Sequence, residues 1–441
     1  MNRLTTPFGS YDLTRFPEDP RDRLRAWDAA DEYLLRHLAA GTGERGPVEL
    51  AGRRITVLGD RWGALVTALA AHGPAQITDS FLTREATVAN LARAGVDEGS
   101  VRLLTTQDAP PERIDVLLVR VPKSLALLED QLHRLAPHVH AGTVVVGTGM
   151  VKEIHTSTLT LFERILGPTR TSLAERKARL IFCTPTGASS AEEGGTAGNP
   201  WPLVYTLGPD AGAGPAEGLT VVNHAGVFCA DRLDIGTRFL LGHLPKGTGA
   251  RRIVDLGCGN GILGTAAALA DPGAELVFAD ESYQAVASAR ATYEANVAHV
   301  DVAHAGEGGS TAEFVVGDGL AGLPAGSVDL VLNNPPFHSH QATTDATALR
   351  MFAQARRALR PGGELWVVGN RHLGYHVRLR RLFGNCELVA SDPKFVILRV
   401  VKGEKGEKSE KGEKGAGGPG SAGNGTGVRS AGRRARGGRR A

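Results

Sequence analysis

Few cysteines, few aromatics and no long apolar run set the limits of this 441-residue chain. Its four cysteines, Cys183, Cys229, Cys258 and Cys386, stand far apart, with no CxxC and no cysteine–histidine pair at metal-ligand spacing. That excludes a disulfide scaffold and a zinc ribbon, and it fits a reducing cytoplasm. No metal is expected. No apolar run reaches the ~18 residues of a membrane span, and the opening MNRLTTPFGSYD lacks the apolar core of a secretion signal. A soluble, cytoplasmic protein without membrane contact is expected. With 42% apolar residues, the chain is long enough for two or three cores at ~150 residues each.

Net charge is also small, +3, but it is unevenly placed. Residues 403–441 carry four Lys and six Arg against four Glu, a net +6, which leaves −3 for residues 1–402. This tail opens GEKGEKSEKGEK and closes GVRSAGRRARGGRRA, with Val428 its one large aliphatic residue. Such a segment cannot bury enough surface to offset its ordering entropy, so a disordered basic tail is expected. Its Arg/Gly end suits non-specific phosphate contacts or plain solubility equally. A second composition break, rich in Gly, Ala and Pro, spans 186–219 and reads as a linker or insert. The chain thus divides into 1–185, the linker, 220–402 and the tail.

Both halves alternate short aliphatic runs with helical patterns, the grammar of parallel sheets with crossover helices. In the second half RIVDL, ELVFAD, FVV, VDLVLNN and GELWVVGN read as strands. In the first, ITVLGD, AQITDS, IDVLLVR and GTVVVGTG take the same order. Aligned along the chain, Gly59 and Gly63 match Gly257 and Gly261, Asp79 matches Asp280, Pro122 matches Pro335 and Gly142 matches Gly363. Val57 replaces Asp255, Arg61 replaces Gly259, Trp62 replaces Asn260 and Val121 replaces Asn334. Arg-Trp in place of Gly-Asn fills the space a ligand needs, so the first copy reads as degenerate.

The strongest local motif is VDLGCGNGILG at 254–264. A strand ends there in a glycine-rich turn that opens into a helix, directing backbone N–H groups at one crevice. Gly257, Gly259 and Gly261 permit positive φ and close approach. Asp280 ends the next strand at the position of a ribose-binding acid. Gly259-x-Gly261-x-x-Gly264 also satisfies the dinucleotide pattern, so the loop alone leaves NAD or FAD open. Asp255 favours S-adenosylmethionine, because a carboxylate there attracts an amino group and repels a pyrophosphate. Asp318, after FVV, is placed to accept from an adenine amino group or to cap a turn.

The second signal is Asn334-Pro335-Pro336-Phe337 at the end of VDLVLNN. An exocyclic amino group on a base is a poor nucleophile, since its lone pair is delocalised into the ring. The Asn334 carboxamide oxygen and the Pro335 carbonyl can accept its two N–H bonds and free that lone pair. Phe337 offers a face for a flipped base, worth ~1–3 kcal/mol. Catalysis by positioning and electrostatics needs no covalent intermediate. His338 suits a base contact better than acid–base work, and Cys258 reads as a small residue in the loop, not a nucleophile. Asp234, Gly236 and Arg238 either cover the cofactor or cap a helix. Arg371, Arg378, Arg380 and Arg381 form either an RNA-facing strip or a solvated helix face.

Together these motifs resemble the ribosomal RNA guanine-N2 methyltransferases with two tandem Rossmann-like domains, only the second active. The likeness spans most of residues 1–402. It is carried by DLGCGNGILG, NNPPFH and the closing VVGNRHLGYHVRLRRLFGNCELVASDPKFVILRVVK. The first-half segments VRVPKSLALLEDQLHRL and KEIHTSTLTLFERILGPTRTSLAERKARL look more like the large-subunit (23S) enzymes than the small-subunit (16S) ones. The resemblance implies an α/β protein with two doubly wound class I methyltransferase domains, the first degenerate and RNA-holding. It implies N2-methylation of one guanine in 23S rRNA with S-adenosylmethionine as donor. The substrate is expected to be naked RNA or an assembly intermediate, and the protein a monomer. Asp255, Gly257, Gly259, Asp280 and Asp318 would line the cofactor pocket, with Asn334 and Phe337 handling the base. Alternatives are a 16S guanine, adenine N6 or protein glutamine as methyl acceptor, a nicotinamide-nucleotide oxidoreductase, and a non-catalytic RNA-binding factor.

Overall fold

The structure is a computed structural model that describes residues 3–20, 22–43, 45–187, 198–245, 249–297, 311–336 and 342–404. The chain opens with a hairpin of β1 (Arg3–Thr6) and β2 (Gly9–Asp12), then α1 (Ala29–Ala40). The first sheet is built from β3 (Ile55–Leu58), β4 (Ala75–Thr78), β5 (Arg102–Thr105), β6 (Ile114–Arg120), β7 (Val139–Met150), β8 (Thr169–Thr171) and β9 (Ala178–Cys183). Its helices are α2 (Ala64–Leu69), α3 (Phe81–Arg93), α4 (Leu125–Leu135) and α5 (Thr156–Ile165). A short hairpin of β10 (Leu203–Thr206) and β11 (Thr220–Asn223) follows, then α6 (Ile235–Leu241).

The second sheet holds β12 (Arg252–Leu256), β13 (Glu275–Asp280), β14 (Thr311–Val316), β15 (Val328–Asn333), β16 (Leu359–Asn370), β17 (Glu387–Ser391) and β18 (Phe395–Val401). Its helices are α7 (Ile262–Ala270), α8 (Tyr283–Val297), α9 (Ala342–Ala358) and α10 (Tyr375–Phe383). The strand orders are β5-β4-β3-β6-β7-β9-β8 and β14-β13-β12-β15-β16-β18-β17, the same topology twice. Neighbours within each of these two sheets are parallel except for β9, antiparallel to both β7 and β8, and β18, antiparallel to both β16 and β17. The central strands are largely apolar because helices cover both faces; every residue of β3 and of β15 is buried. Each sheet accordingly has an apolar cluster on either side.

The ladders fix the correspondence between the copies and move part of it by one residue. Leu58 pairs with Ile77 and Val119, whereas Leu256 pairs with Ala279 and Asn333. Val57 therefore does stand for Asp255, and Arg61 for Gly259. Asp280, however, is matched by Thr78 and not by Asp79, and Asn334 by Arg120 and not by Val121. Likewise Pro122 stands for Pro336, and Thr143 for Gly363, since Val116 pairs with Val144 where Leu330 pairs with Glu364.

The stretch read as a linker includes β10, which pairs with β11, and that hairpin packs on α8. There Thr292 Oγ1 accepts from Val222 N–H and Asn296 Oδ1 from Thr220 N–H, at 3.0 and 2.9 Å. Packing thus joins this part of the segment to the second half. The basic tail beyond residue 404 lies outside the described residues. Among the described residues no helix is long and apolar enough to cross a membrane.

Candidate active site

In each sheet the strand order reverses between the first strand of the fold and its fourth, which in the second half are β12 and β15. That reversal opens a crevice at the carboxyl ends of the strands. Asp255, one residue before the end of β12, is buried, and its Oδ2 accepts from Gly264 N–H at 2.8 Å. Its other oxygen, Oδ1, is buried without a partner. Burial raises the Asp255 carboxyl to about 7, opposed by the Gly264 N–H and aided by the nearby Asp280. A buried acceptor with no donor, beside a second carboxylate, is a place for a cation.

Asp280 ends β13 and grips the glycine turn. Its Oδ2 accepts from Gly259 N–H at 3.1 Å and its Oδ1 from Ser282 N–H at 3.0 Å. Burial raises its pKa, against the lowering effect of those backbone donors. Gly259 therefore gives its N–H to Asp280 and not to a ligand oxygen.

The glycines divide by role. Gly259, at φ +52°, has only open space where a Cβ would stand, so its backbone borders the crevice. Gly257, at φ +71°, has the Met351 methyl 3.1 Å from that position. Gly261, expected to border the cofactor, instead faces α8: at φ +75° a Cβ there would lie 2.7 Å from Ala289 Cα. Its N–H closes the turn onto the Cys258 carbonyl at 2.7 Å. Gly264 is small for a similar reason, because the Phe278 ring occupies its side-chain space. The Cys258 thiol is buried and pushed well above its ordinary pKa by burial and by both acids, which agrees with an inert loop residue.

Asp318, after β14, lies 3.1 Å from Arg350 Nε on α9, and its backbone carbonyl accepts from Gln354 Nε2 at 3.0 Å. It is tied to α9 and only partly exposed. At the end of β15, Asn333 is buried and donates from Nδ2 to the Leu256 carbonyl at 2.7 Å, joining β15 to β12. Asn334 follows. Its Nδ2 donates to Asp234 Oδ2 at 3.1 Å and to Thr237 Oγ1 at 2.8 Å, while its Oδ1 is buried without a partner. Pro335 is buried and Pro336 exposed; Phe337 and His338 lie outside the described residues. Asp234 does cap α6, accepting from Thr237 N–H at 2.8 Å. Arg371, Arg378, Arg380 and Arg381 are all exposed, the last three along α10.

The matching crevice of the first half is filled. Arg120, in the place of Asn334, is wholly buried and contacts Asp28, Asp31 and Glu153 at 2.6, 3.1 and 3.1 Å. Burial alone would lower its pKa, but the three acids hold it above the ordinary value. Arg61, in the place of Gly259, reaches Asp28 and Glu153 at 3.4 and 2.9 Å.

Comparison with known proteins agrees with this geometry. The family model of the RLMG N-terminal domain matches residues 1–187, and that of the methyltransferase small domain residues 218–399. The ribosomal RNA large subunit methyltransferase G of Streptomyces avermitilis is 73% identical over 400 residues, covering 90% of this chain and 99% of that protein. The chain belongs to the ribosomal RNA large subunit methyltransferase G family. Its namesake in Pseudomonas aeruginosa is 48% identical over 405 residues, covering 91% of this chain and 100% of the relative. Among solved structures, a T. thermophilus 16S rRNA N2 methyltransferase in complex with AdoMet and guanosine shares the fold. Its TM-score is 0.65 at 21% identity, over 91% of this chain and 97% of that one. The family is that of S-adenosylmethionine-dependent methyltransferases, and the crevice fits that cofactor. Asp255 Oδ1 offers an orphaned acceptor to an ammonium, and the space beside the Gly259 backbone is open.

Proposed function

We propose that the protein methylates the exocyclic N2 of one guanine in 23S ribosomal RNA. The carrying observation is the Asn334 amide: its N–H end is engaged by two acceptors and its carbonyl end is buried without a donor, beside the glycine turn. When bound, S-adenosylmethionine supplies an electrophilic sulfonium methyl. Asp255 would hold its ammonium and Asp280 its ribose, with Asp318 toward the adenine. Asn334 Oδ1 and the Pro335 carbonyl would accept the two N–H bonds of the guanine amino group, pulling its lone pair out of ring conjugation. Proline at 335 brings no competing N–H to that edge. Phe337 would stack the base. As the N–C bond forms, the sulfonium S–C bond would break and S-adenosylhomocysteine leave as a neutral thioether; the positive charge passes to the guanine nitrogen, which loses a proton to water, so no side chain need act as a base. The large subunit is favoured by the names of the relatives, and the guanine N2 by the motif and the fold neighbour. With its own crevice filled by Arg61 and Arg120, the first half is left to hold RNA.

The test is incubation with methyl-labelled S-adenosylmethionine and deproteinised 23S or 16S rRNA, followed by nucleoside analysis. N2-methylguanosine from 23S rRNA alone is the expected product; N6-methyladenosine, or label only in 16S rRNA, would overturn the proposal. Asn334→Ala should lose about 3 kcal/mol of transition-state stabilisation, roughly a hundredfold in turnover, and keep S-adenosylhomocysteine affinity.

A further inference from the structure

We infer that Asp234 and Thr237, on and before α6, are positioning residues that set which end of the Asn334 amide faces the methyl acceptor. The inference rests on the proposed role of Asn334 and extends it to how that role is enforced. A carboxamide has a donor end and an acceptor end of nearly the same shape, and only the acceptor end can receive an amino group. A wrongly turned amide would offer N–H to N–H. What decides the orientation is the partner at the other end. A carboxylate only accepts, so Asp234 Oδ2 at 3.1 Å selects Nδ2, and Thr237 Oγ1 at 2.8 Å takes the second proton. Both Nδ2 protons are thereby used, and Oδ1 is left buried with no partner within the protein.

Asp234 itself is fixed. The same Oδ2 caps α6 by accepting from Thr237 N–H at 2.8 Å, and Thr237 is buried. The cap and the grip share one oxygen, so the helix start is anchored to the residue it orients. Asn334 is 100 positions from Asp234, which makes this a tertiary device and not a local turn. An amide held from behind has its acceptor preorganised and needs no rearrangement as the base arrives.

The variants separate grip from cap. Asp234→Ser keeps a capping oxygen for Thr237 N–H but withdraws from Asn334. Thr237→Val removes the second acceptor at constant shape. Asp234→Asn restores an accepting oxygen at the first position. The expected result is a fall in kcat of about tenfold for Asp234→Ser and for Thr237→Val, and of about a hundredfold for the pair. KM for rRNA and the Kd of S-adenosylhomocysteine should stay within about twofold, and Asp234→Asn should recover to within about threefold of the parent. Added to Asn334→Ala, the pair should cost nothing further, because the group they orient is gone. Wild-type kcat in the double variant, with Asn334→Ala inactive, would overturn this inference alone. So would a kcat loss matched by an equal loss of cofactor affinity, or an undiminished loss in the Asn334→Ala background. Wild-type turnover in Asn334→Ala itself would instead overturn the amide reading on which it stands.

Discussion

Replacing Asp255 by Asn should make the unliganded protein more stable at pH 8 and worse at binding its cofactor. The carboxyl is buried, has one backbone donor at Gly264 and lies near Asp280; burial raises it from 3.8 to about 7. In the unfolded chain it ionises near pH 4. Between these values the folded state binds the proton and the unfolded state does not, so stability falls as pH rises through that window. At about 1.4 kcal/mol per pH unit, the displacement amounts to roughly 4 kcal/mol at pH 8 as an upper bound. Asparagine keeps an acceptor for Gly264 N–H and never ionises, so it escapes that cost. A cofactor ammonium reverses the preference by selecting the charged carboxylate. Affinity of the parent for S-adenosylhomocysteine should therefore climb from pH 5.5 to 8, with proton release on binding near pH 6.5. Chemical denaturation at several pH values and calorimetry in two buffers of different ionisation enthalpy read both effects. Asp60, Asp79, Asp280 and Glu281 are also raised, so the informative quantity is the difference between parent and Asp255→Asn. Parallel stability profiles for the two proteins, or cofactor affinity equally flat in both, would refute the reasoning.

Two further substitutions test the division of roles among loop and crevice residues. Gly261→Ala forces a side chain at φ +75° against the α8 backbone and should cost about 2–4 kcal/mol of stability, read as a lower denaturation midpoint. Arg120→Met removes the cation shared by Asp28, Asp31 and Glu153; leaving those acids unpaired should cost about 3–5 kcal/mol. Cofactor affinity, measured well below the unfolding temperature, should not change with Arg120→Met, because the filled crevice takes no part in binding.

The duplication, the glycine turn and the Asn-Pro-Pro edge were legible in the sequence because each is local. A strand, a tight turn and a helix start follow one another within a few residues, and Gly and Pro mark the turns. The register between the copies was not legible. Buried parallel strands such as VDLVLNN and IDVLLVR carry apolar residues on both faces, so no regular alternation of polar residues reveals a shift by one. Sequence alignment placed Val121 opposite Asn334 and Asp79 opposite Asp280; only the hydrogen-bonded ladders show Arg120 and Thr78 there. The hold on Asn334 was hidden for another reason. Asp234-x-x-Thr237 reads as a helix cap, which it is, and nothing local tells that its oxygen has a second donor 100 positions on. Gly261 shows the converse: the dinucleotide-like pattern suggested ligand approach, whereas packing on α8 requires the glycine.

The register also explains what the first copy retained. Asp79 does not stand for Asp280 but for Glu281, and Ser80 for Ser282, so the two β-strand-to-helix turns face each other about a pseudo-twofold. Ser80 Oγ donates to Glu281 Oε2 at 2.5 Å and Ser282 Oγ to Asp79 Oδ2 at 2.6 Å. The backbone repeats the exchange, Phe81 N–H to the Glu281 carbonyl at 2.8 Å and Tyr283 N–H to the Asp79 carbonyl at 2.9 Å. Ser282 N–H is also one of the donors that hold the Asp280 carboxyl. The turn presenting the acid assigned to the ribose is therefore bolted on its far side to the first half. Arg61 and Arg120 occupy the first crevice and take no part in these contacts. Asp79 and Ser80 do, so changing them should loosen the turn that shapes the second crevice.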